Sequence, residues 1–245
     1  MATRTQPEQQ APPVQRLRIK YAKRGRARFA SHRDFSRAFE RALRRAGVPM
    51  AYSSGFSPHP RISYANASQT GAASEAEYLE IGLAEVCDPL RVRAALDAAL
   101  PPGLDIVEVV VSAPGALADL LTGSRWRVQL SVAAGVDLAE AVRRFLAAPE
   151  VTVQRMTKNG LRDFDARAAV VELDVVEGGV ELVLVHQVPL VRPDDVLVGL
   201  SAVSPEFVVE SVPILTRLTQ GVLDVPSGRI SEPGASDVAD VAGNV

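Results

Sequence analysis

Apolar and polar side chains along this chain recur with a period that switches repeatedly between two and 3.6. Arg16 to Tyr21 alternates basic and apolar residues, which predicts a strand with one buried and one cationic face. After the basic turn Lys23-Arg24-Gly25-Arg26, Ser31 is placed to cap a helix with Asp34 three residues on. Phe35, Ala38, Phe39, Ala42, Leu43 and Ala46 then follow at helical spacing until Gly47 stops the run. On that helix Arg33, Arg37, Arg41 and Arg44 stack opposite the apolar stripe, with Arg45 at its border. A proline-stiffened loop, Ala51 to Pro60, leads to strands predicted at 61–65 and 77–83, a helix from Asp88-Pro89 through Leu100, and a strand over 105–111.

The second half repeats the order with different residues. It reads as a strand at Trp126 to Val132, a helix capped by Asp137 and running through Ala148, a strand over 151–156 and a turn at Lys158-Asn159-Gly160. Segments 168–176 and 180–187 flank Gly178-Gly179 as a hairpin, Pro193 opens a short helix to Leu200, and 206–217 supplies a last strand. The fold expected is α+β, with two tandem ferredoxin-like (split β-α-β) halves. A basic half spans 16–115 and a second half 122–218. Residues 1–15 and a tail over 219–245 hold too little apolar surface to offset the entropy of ordering, so both are expected to be disordered.

Charge changes the picture more than composition does. Residues 16–61 hold thirteen Lys or Arg against Asp34 and Glu40, inside a chain whose formal net charge is −2. Such an uneven field draws polyanions to one region while the remainder repels them, and nucleic acid is the first partner to consider. The single cysteine, Cys87, rules out a disulfide framework, a CxxC zinc pair and a thiolate-held iron-sulfur cluster built within this chain. No metal site and no cofactor is expected here. The stretch from Met1 to Pro13 lacks the apolar core of a signal peptide, and nothing approaches the ~20 consecutive apolar residues of a membrane span. A cytoplasmic protein without membrane contact is expected.

Several long motifs resemble a known family. Arg28-Phe29-Ala30-Ser31-His32-Arg33-Asp34, Arg41 to Gly47 and Gly55-Phe56-Ser57-Pro58-His59-Pro60 are similar to the signature of the uncharacterised radical-SAM-linked (radical-SAM-associated) domain family, a family of unknown function. Ser74 to Tyr78, Lys158 to Arg167 and Val191 to Asp195 continue the match, which covers roughly residues 16–217. Ser57 departs from the pattern, where Asn is expected, and the radical-SAM portion is absent. Members resemble segments fused behind, or encoded beside, radical-SAM proteins, so the resemblance implies an accessory role beside a separate radical-SAM protein. Any radical chemistry then belongs to that other chain.

The residues themselves point to RNA. Arg18 and Lys20 on the first strand, with Arg16, and Arg33, Arg37, Arg41 and Arg44 on the helix are the expected phosphate contacts, because guanidinium forks match phosphate geometry. Tyr21, Tyr52, Phe56 and Tyr64 interleave with them, and Phe56 with His59 is expected to touch a base, since bases stack on rings while phosphates follow charge. The preferred expectation is an RNA-binding accessory protein that presents tRNA or rRNA to the radical-SAM enzyme. An RNA-processing or RNA-modifying enzyme is the alternative, endonuclease-like through His32 and His59 or pseudouridine-synthase-like through Asp165, where Asp165-Ala166-Arg167 has a distant likeness to the Asp-plus-Arg centre of those synthases. A third reading is a protein-interaction module for an acidic partner. His186, in an apolar strand, reads as structural, and Ser74, Glu75, Glu77 and the charged run 158–167 read as partners of nearby arginines.

Overall fold

The computed structural model of the protein describes residues 9–157 and 160–234. They fall into two compact units, the first built from 9–70, Glu75–Ala118 and 233–234, the second from Gly71–Ser74 and the described part of Asp119–Glu232. The architecture is α+β. The expected turn residues Lys158 and Asn159 lie outside the described residues, as do 1–8 and 235–245 of the expected disordered ends.

In the first unit the chain runs through β1 (Gln15–Lys23), a 3-10 turn (Gly25–Phe29), α1 (His32–Arg45), β2 (Ile62–Ala65), β3 (Ala73–Leu83), α2 (Pro89–Ala99) and β4 (Leu104–Val111). Its strands lie in the order β4-β1-β3-β2, with β1 antiparallel to β4 and β2 antiparallel to β3. Ser31 caps α1, its Oγ accepting the Asp34 N–H at 3.2 Å and donating to the Asp34 carboxylate at 2.6 Å. That bond, more than the flanking Arg37 and Arg33, holds the Asp34 carboxyl below its ordinary range. Asp88 caps α2 through the Leu90 N–H at 2.9 Å, with Pro89 at the first helical position. The apolar stripe of α1, namely Phe35, Phe39, Ala42 and Leu43, packs with Leu17, Ile19, Leu79, Ile81 and Leu96 in one core, and Tyr21 stacks on Phe35 at 4.4 Å.

The second unit contains β5 (Gly123–Gln129), α3 (Leu138–Ala147), β6 (Thr152–Thr157), β7 (Gly160–Asp165), β8 (Val170–Val176), β9 (Gly179–Val185), α4 (Pro193–Val203), β10 (Ile214–Asp224) and β11 (Arg229–Ser231). The strand order is β10-β5-β9-β8 with every neighbouring pair antiparallel, and Ala73 and Ser74 at the start of β3 pair in parallel with Thr216 and Arg217. β6 and β7 form a two-stranded sheet of their own. Phe145 on α3 is fully buried among Trp126, Val128, Leu182 and Leu200.

Two expectations need correction. Residues 160–165 form a strand, β7, that charge alternation does not announce: Arg162 and Asp163 are exposed, and pairing with β6 together with the buried Phe164 holds the segment. The last long strand begins at Ile214 and runs to Asp224, past the expected start of a disordered tail at 219, and β11 pairs back onto it. Gln220 is fully buried, and Gly221 passes so close beneath the Ser231 carbonyl that no side chain fits. The order of this segment comes from ladder partners far away in sequence, which composition does not register.

His186 closes a hydrogen-bonded chain in the second unit. Its Nδ1–H donates to the Leu121 carbonyl at 2.7 Å, so Nε2 accepts from the Ser124 hydroxyl at 2.9 Å, and Ser124 Oγ accepts the Trp126 indole N–H at 2.8 Å. Burial lowers the His186 pKa, and nearby Arg217 lowers it further. Below the ordinary histidine value of about 6.5 the unfolded chain therefore takes up a proton that the folded imidazole refuses, and stability falls as pH drops through that window. The urea midpoint followed by fluorescence of Trp126, the single tryptophan, is expected to drop between about pH 7 and 5, and His186→Gln is expected to flatten that fall. An unaltered pH profile in the variant contradicts the assignment.

Candidate nucleic-acid interface

α1 turns a row of guanidinium groups outward. Its core stripe fixes the rotation of the helix, so Arg33, Arg37, Arg41 and Arg44 emerge together on the exposed side. Among the described residues Arg33, Arg37 and Arg41 make no ion pair, while Arg44 lies 3.9 Å from Glu40, a loose contact between exposed groups. Arg45 is used differently, donating to the Ala99 carbonyl at 3.0 Å and tying α1 to the end of α2. Before the first turn of α1, Phe29 is 60% exposed with the Arg28 guanidinium over its ring at 4.6 Å. Phe29 thus presents an exposed aromatic ring at the end of the basic 3-10 turn, just before α1.

The strand cations do not join this row. Leu17 and Ile19 face the helices, so alternation sends Arg18 and Lys20 out of the opposite face of the sheet. There Arg18 is 2% exposed and donates to Glu80 Oε1 from Nε at 3.2 Å and Nη2 at 3.1 Å. Tyr78 and Glu80 on the same face are also buried, and Lys20 is half-buried. The expected phosphate role of Arg18 is therefore replaced by a structural one. Tyr21 and Tyr64 are likewise not stacking platforms. Tyr21 is core, and Tyr64 sits edge-on to Phe35 at 6.1 Å with its pKa raised by burial.

Phe56 does reach solvent, at 69% exposure, on a loop closed at its neck. Ser53 N–H donates to the His59 carbonyl at 2.8 Å, and His59 N–H donates to Ser53 Oγ at 3.0 Å. Ala51, Arg61 and Gly82 continue the tie through backbone bonds, and Gly82 lets both Pro13 and Arg61 close over it, since a Cβ there would lie 3.0 Å from Pro13 and 3.3 Å from Arg61. Beneath the loop is a cavity of about 330 Å³ lined by Arg16, Ser53, His59, Arg61, Glu80 and Gly82 among others.

His32 and His59 have separate surroundings. His32 is the first residue of α1, its ring edge-on to Tyr64 at 4.8 Å, whereas His59 lines the cavity with Arg16, Arg61 and Glu80. Asp165, in the second unit, spends one carboxylate oxygen on the N–H groups of Val151 at 3.0 Å and Arg167 at 2.9 Å. Arg167 in turn donates to the carbonyls of Leu146 at 3.2 Å and Val170 at 2.9 Å. Both brace the turn after β7. Glu75 pairs with Arg24, which also holds Asp105 at 2.8 Å, and Glu77 accepts the Ser68 N–H at 3.0 Å. At the start of α4, Asp195 accepts the Arg192 N–H at 2.7 Å and pairs with Arg155, yet burial outweighs both and raises its pKa. Replacing Asp195 with alanine strips a cap and a charged partner together and is expected to lower the denaturant midpoint by the equivalent of about 2–3 kcal/mol. A change within ~0.5 kcal/mol contradicts this.

No cluster of His, Cys, Asp or Glu with metal-holding geometry occurs among the described residues, and none of their helices is long and apolar enough to cross a membrane. The molecule is thus an α+β protein of two units, the first of which displays an arginine-rich helix. It belongs to the family described as "Uncharacterized protein conserved in bacteria (DUF2344)", whose model matches residues 16–193. No curated protein matches the chain. Among solved structures it is similar to the crystal structure of an unknown protein from Galdieria sulphuraria, at 17% identity over 83% of this chain and 98% of that one, with a TM-score of 0.26.

Proposed function

We propose that this protein binds single-stranded regions of tRNA or rRNA along α1 and presents them to a separate radical-SAM modification enzyme. The observation that supports it most is the exposed row Arg33, Arg37, Arg41 and Arg44, three of which have no ion pair among the described residues. Neighbouring positions on such a row are one helical turn apart, about 5–6 Å, so the row offers successive forks to a flexible phosphate backbone. Phe29, Tyr52 and Phe56 are the exposed aromatic rings of this unit, and in this reading bases stack on them. In this reading each unit is a ferredoxin-like half, with β6 and β7 an insertion in the second. The strand orders β4-β1-β3-β2 and β10-β5-β9-β8 support it.

The test is purification from lysate with and without nuclease. Without nuclease the protein is expected to retain RNA that absorbs at 260 nm and sequences to tRNA or rRNA. With nuclease it is expected to lose that RNA while still capturing a radical-SAM protein. Capture of an acidic protein on α1 with no RNA retained would replace this reading with the interaction module.

A further inference from the structure

We infer that the cavity under the Ser53–His59 loop is a binding site for a single nucleotide and selects guanine. This inference deepens the RNA reading and rests on it. The cavity's about 330 Å³ falls at the small end of the range for ligand sites, ~300–1,000 Å³. A second cavity of about 300 Å³ adjoins it, sharing Pro13, Arg16 and Glu80. Glu80 is the informative wall. Its side chain is 9% exposed and the Arg18 donors reach only Oε1, yet the residue lines both cavities. A carboxylate is an acceptor-only group, so a ligand seated against it must bring donors.

The lining also carries two cations, Arg16 and Arg61, among proline, serine and isoleucine side chains. Arg16 is exposed and makes no ion pair among the described residues, and Arg61 donates Nε–H to the Tyr52 carbonyl at 3.1 Å. These two guanidinium groups, with the His59 ring, suit a phosphate, and Glu80 suits a base edge. Guanine presents two adjacent donors, N1–H and the N2 amine, to one carboxylate. Uracil presents one N–H between two carbonyls that the carboxylate repels. The loop is tied at its neck by the two Ser53–His59 bonds, and Gly82 lets Pro13 and Arg61 pack closely on the same wall, which fixes the cavity's outline.

The experiment titrates the full chain with guanosine 5′-monophosphate, uridine 5′-monophosphate and inorganic phosphate. Calorimetry gives affinity, and amide NMR at Ser53, His59 and Gly82 gives location. The guanine nucleotide is expected to bind about tenfold more tightly than the uracil nucleotide, as one bidentate pair allows, and to shift those three amides. Glu80→Gln keeps an acceptor for Arg18 and is expected to reduce the preference to about twofold. Arg16→Ala, at an exposed position, is expected to weaken both nucleotides. Equal affinity for the two nucleotides, phosphate binding as tightly as either, or no amide shift at millimolar nucleotide each overturns the site. Long RNA that binds through α1 while no mononucleotide enters the cavity sinks this inference alone. Nucleotide binding here, with long RNA indifferent to α1, sinks the α1 reading instead.

Discussion

Arg18→Ala is expected to destabilise the first unit by about 3–5 kcal/mol, the cost of removing one partner from a buried ion pair. Arg18 and Glu80 are 2% and 8% exposed, so the Glu80 carboxylate loses its guanidinium where water can only partly replace it. Removing the arginine stem also leaves a hole in packed surroundings. Chemical denaturation followed by circular dichroism measures the loss. The RNA salt slope of the folded variant should stay at the wild-type value, since a buried guanidinium condenses no phosphate and releases no counterion. A variant of native stability with a shallower slope would return Arg18 to the RNA surface.

The largest functional effect is expected from Arg37→Ala combined with Arg41→Ala. Each phosphate contact to single-stranded RNA contributes about 0.7 to the slope of log affinity against log salt, so losing two flattens it by about 1.4. At 0.1 M salt each contact is then worth about fivefold, and the double variant should bind about 25-fold more weakly for every RNA sequence alike. Both side chains are exposed and neither touches the core, so stability should move by less than ~0.5 kcal/mol. Fluorescence anisotropy at a series of salt concentrations reads both quantities. An unchanged slope removes α1 from the interface.

Local signals made much of this fold legible. Ser31 with Asp34, Asp88 with Pro89, and Asp137 each mark a helix start found within a residue of where spacing places it, because caps act through neighbours in sequence. β7 and the run of β10 to Asp224 were hidden for the opposite reason. Leu161-Arg162-Asp163-Phe164 and Gln220-Gly221-Val222 owe their order to pairing across the sheet. The α1 arginine row was visible because helical period alone separates it from Phe35, Phe39 and Leu43. Grouping Arg18 with it failed because alternation says that a strand has two faces and not which of them is covered. Glu80 reads as one acidic residue among alternating apolar ones, and nothing local shows that it meets Arg18, 62 positions away. The cavity wall joining Arg16, His59, Arg61 and Glu80 is a product of tertiary structure for the same reason.

Ultraviolet crosslinking of the protein to its co-purified RNA, with mass spectrometry of the crosslinked peptides, tests the central claim most directly. The account predicts crosslinks concentrated in peptides covering Arg28 to Arg45, with a second group at the Phe56 loop, and their loss in the Arg37→Ala, Arg41→Ala protein. Crosslinks confined to the second unit, or spread without regard to α1, would contradict it.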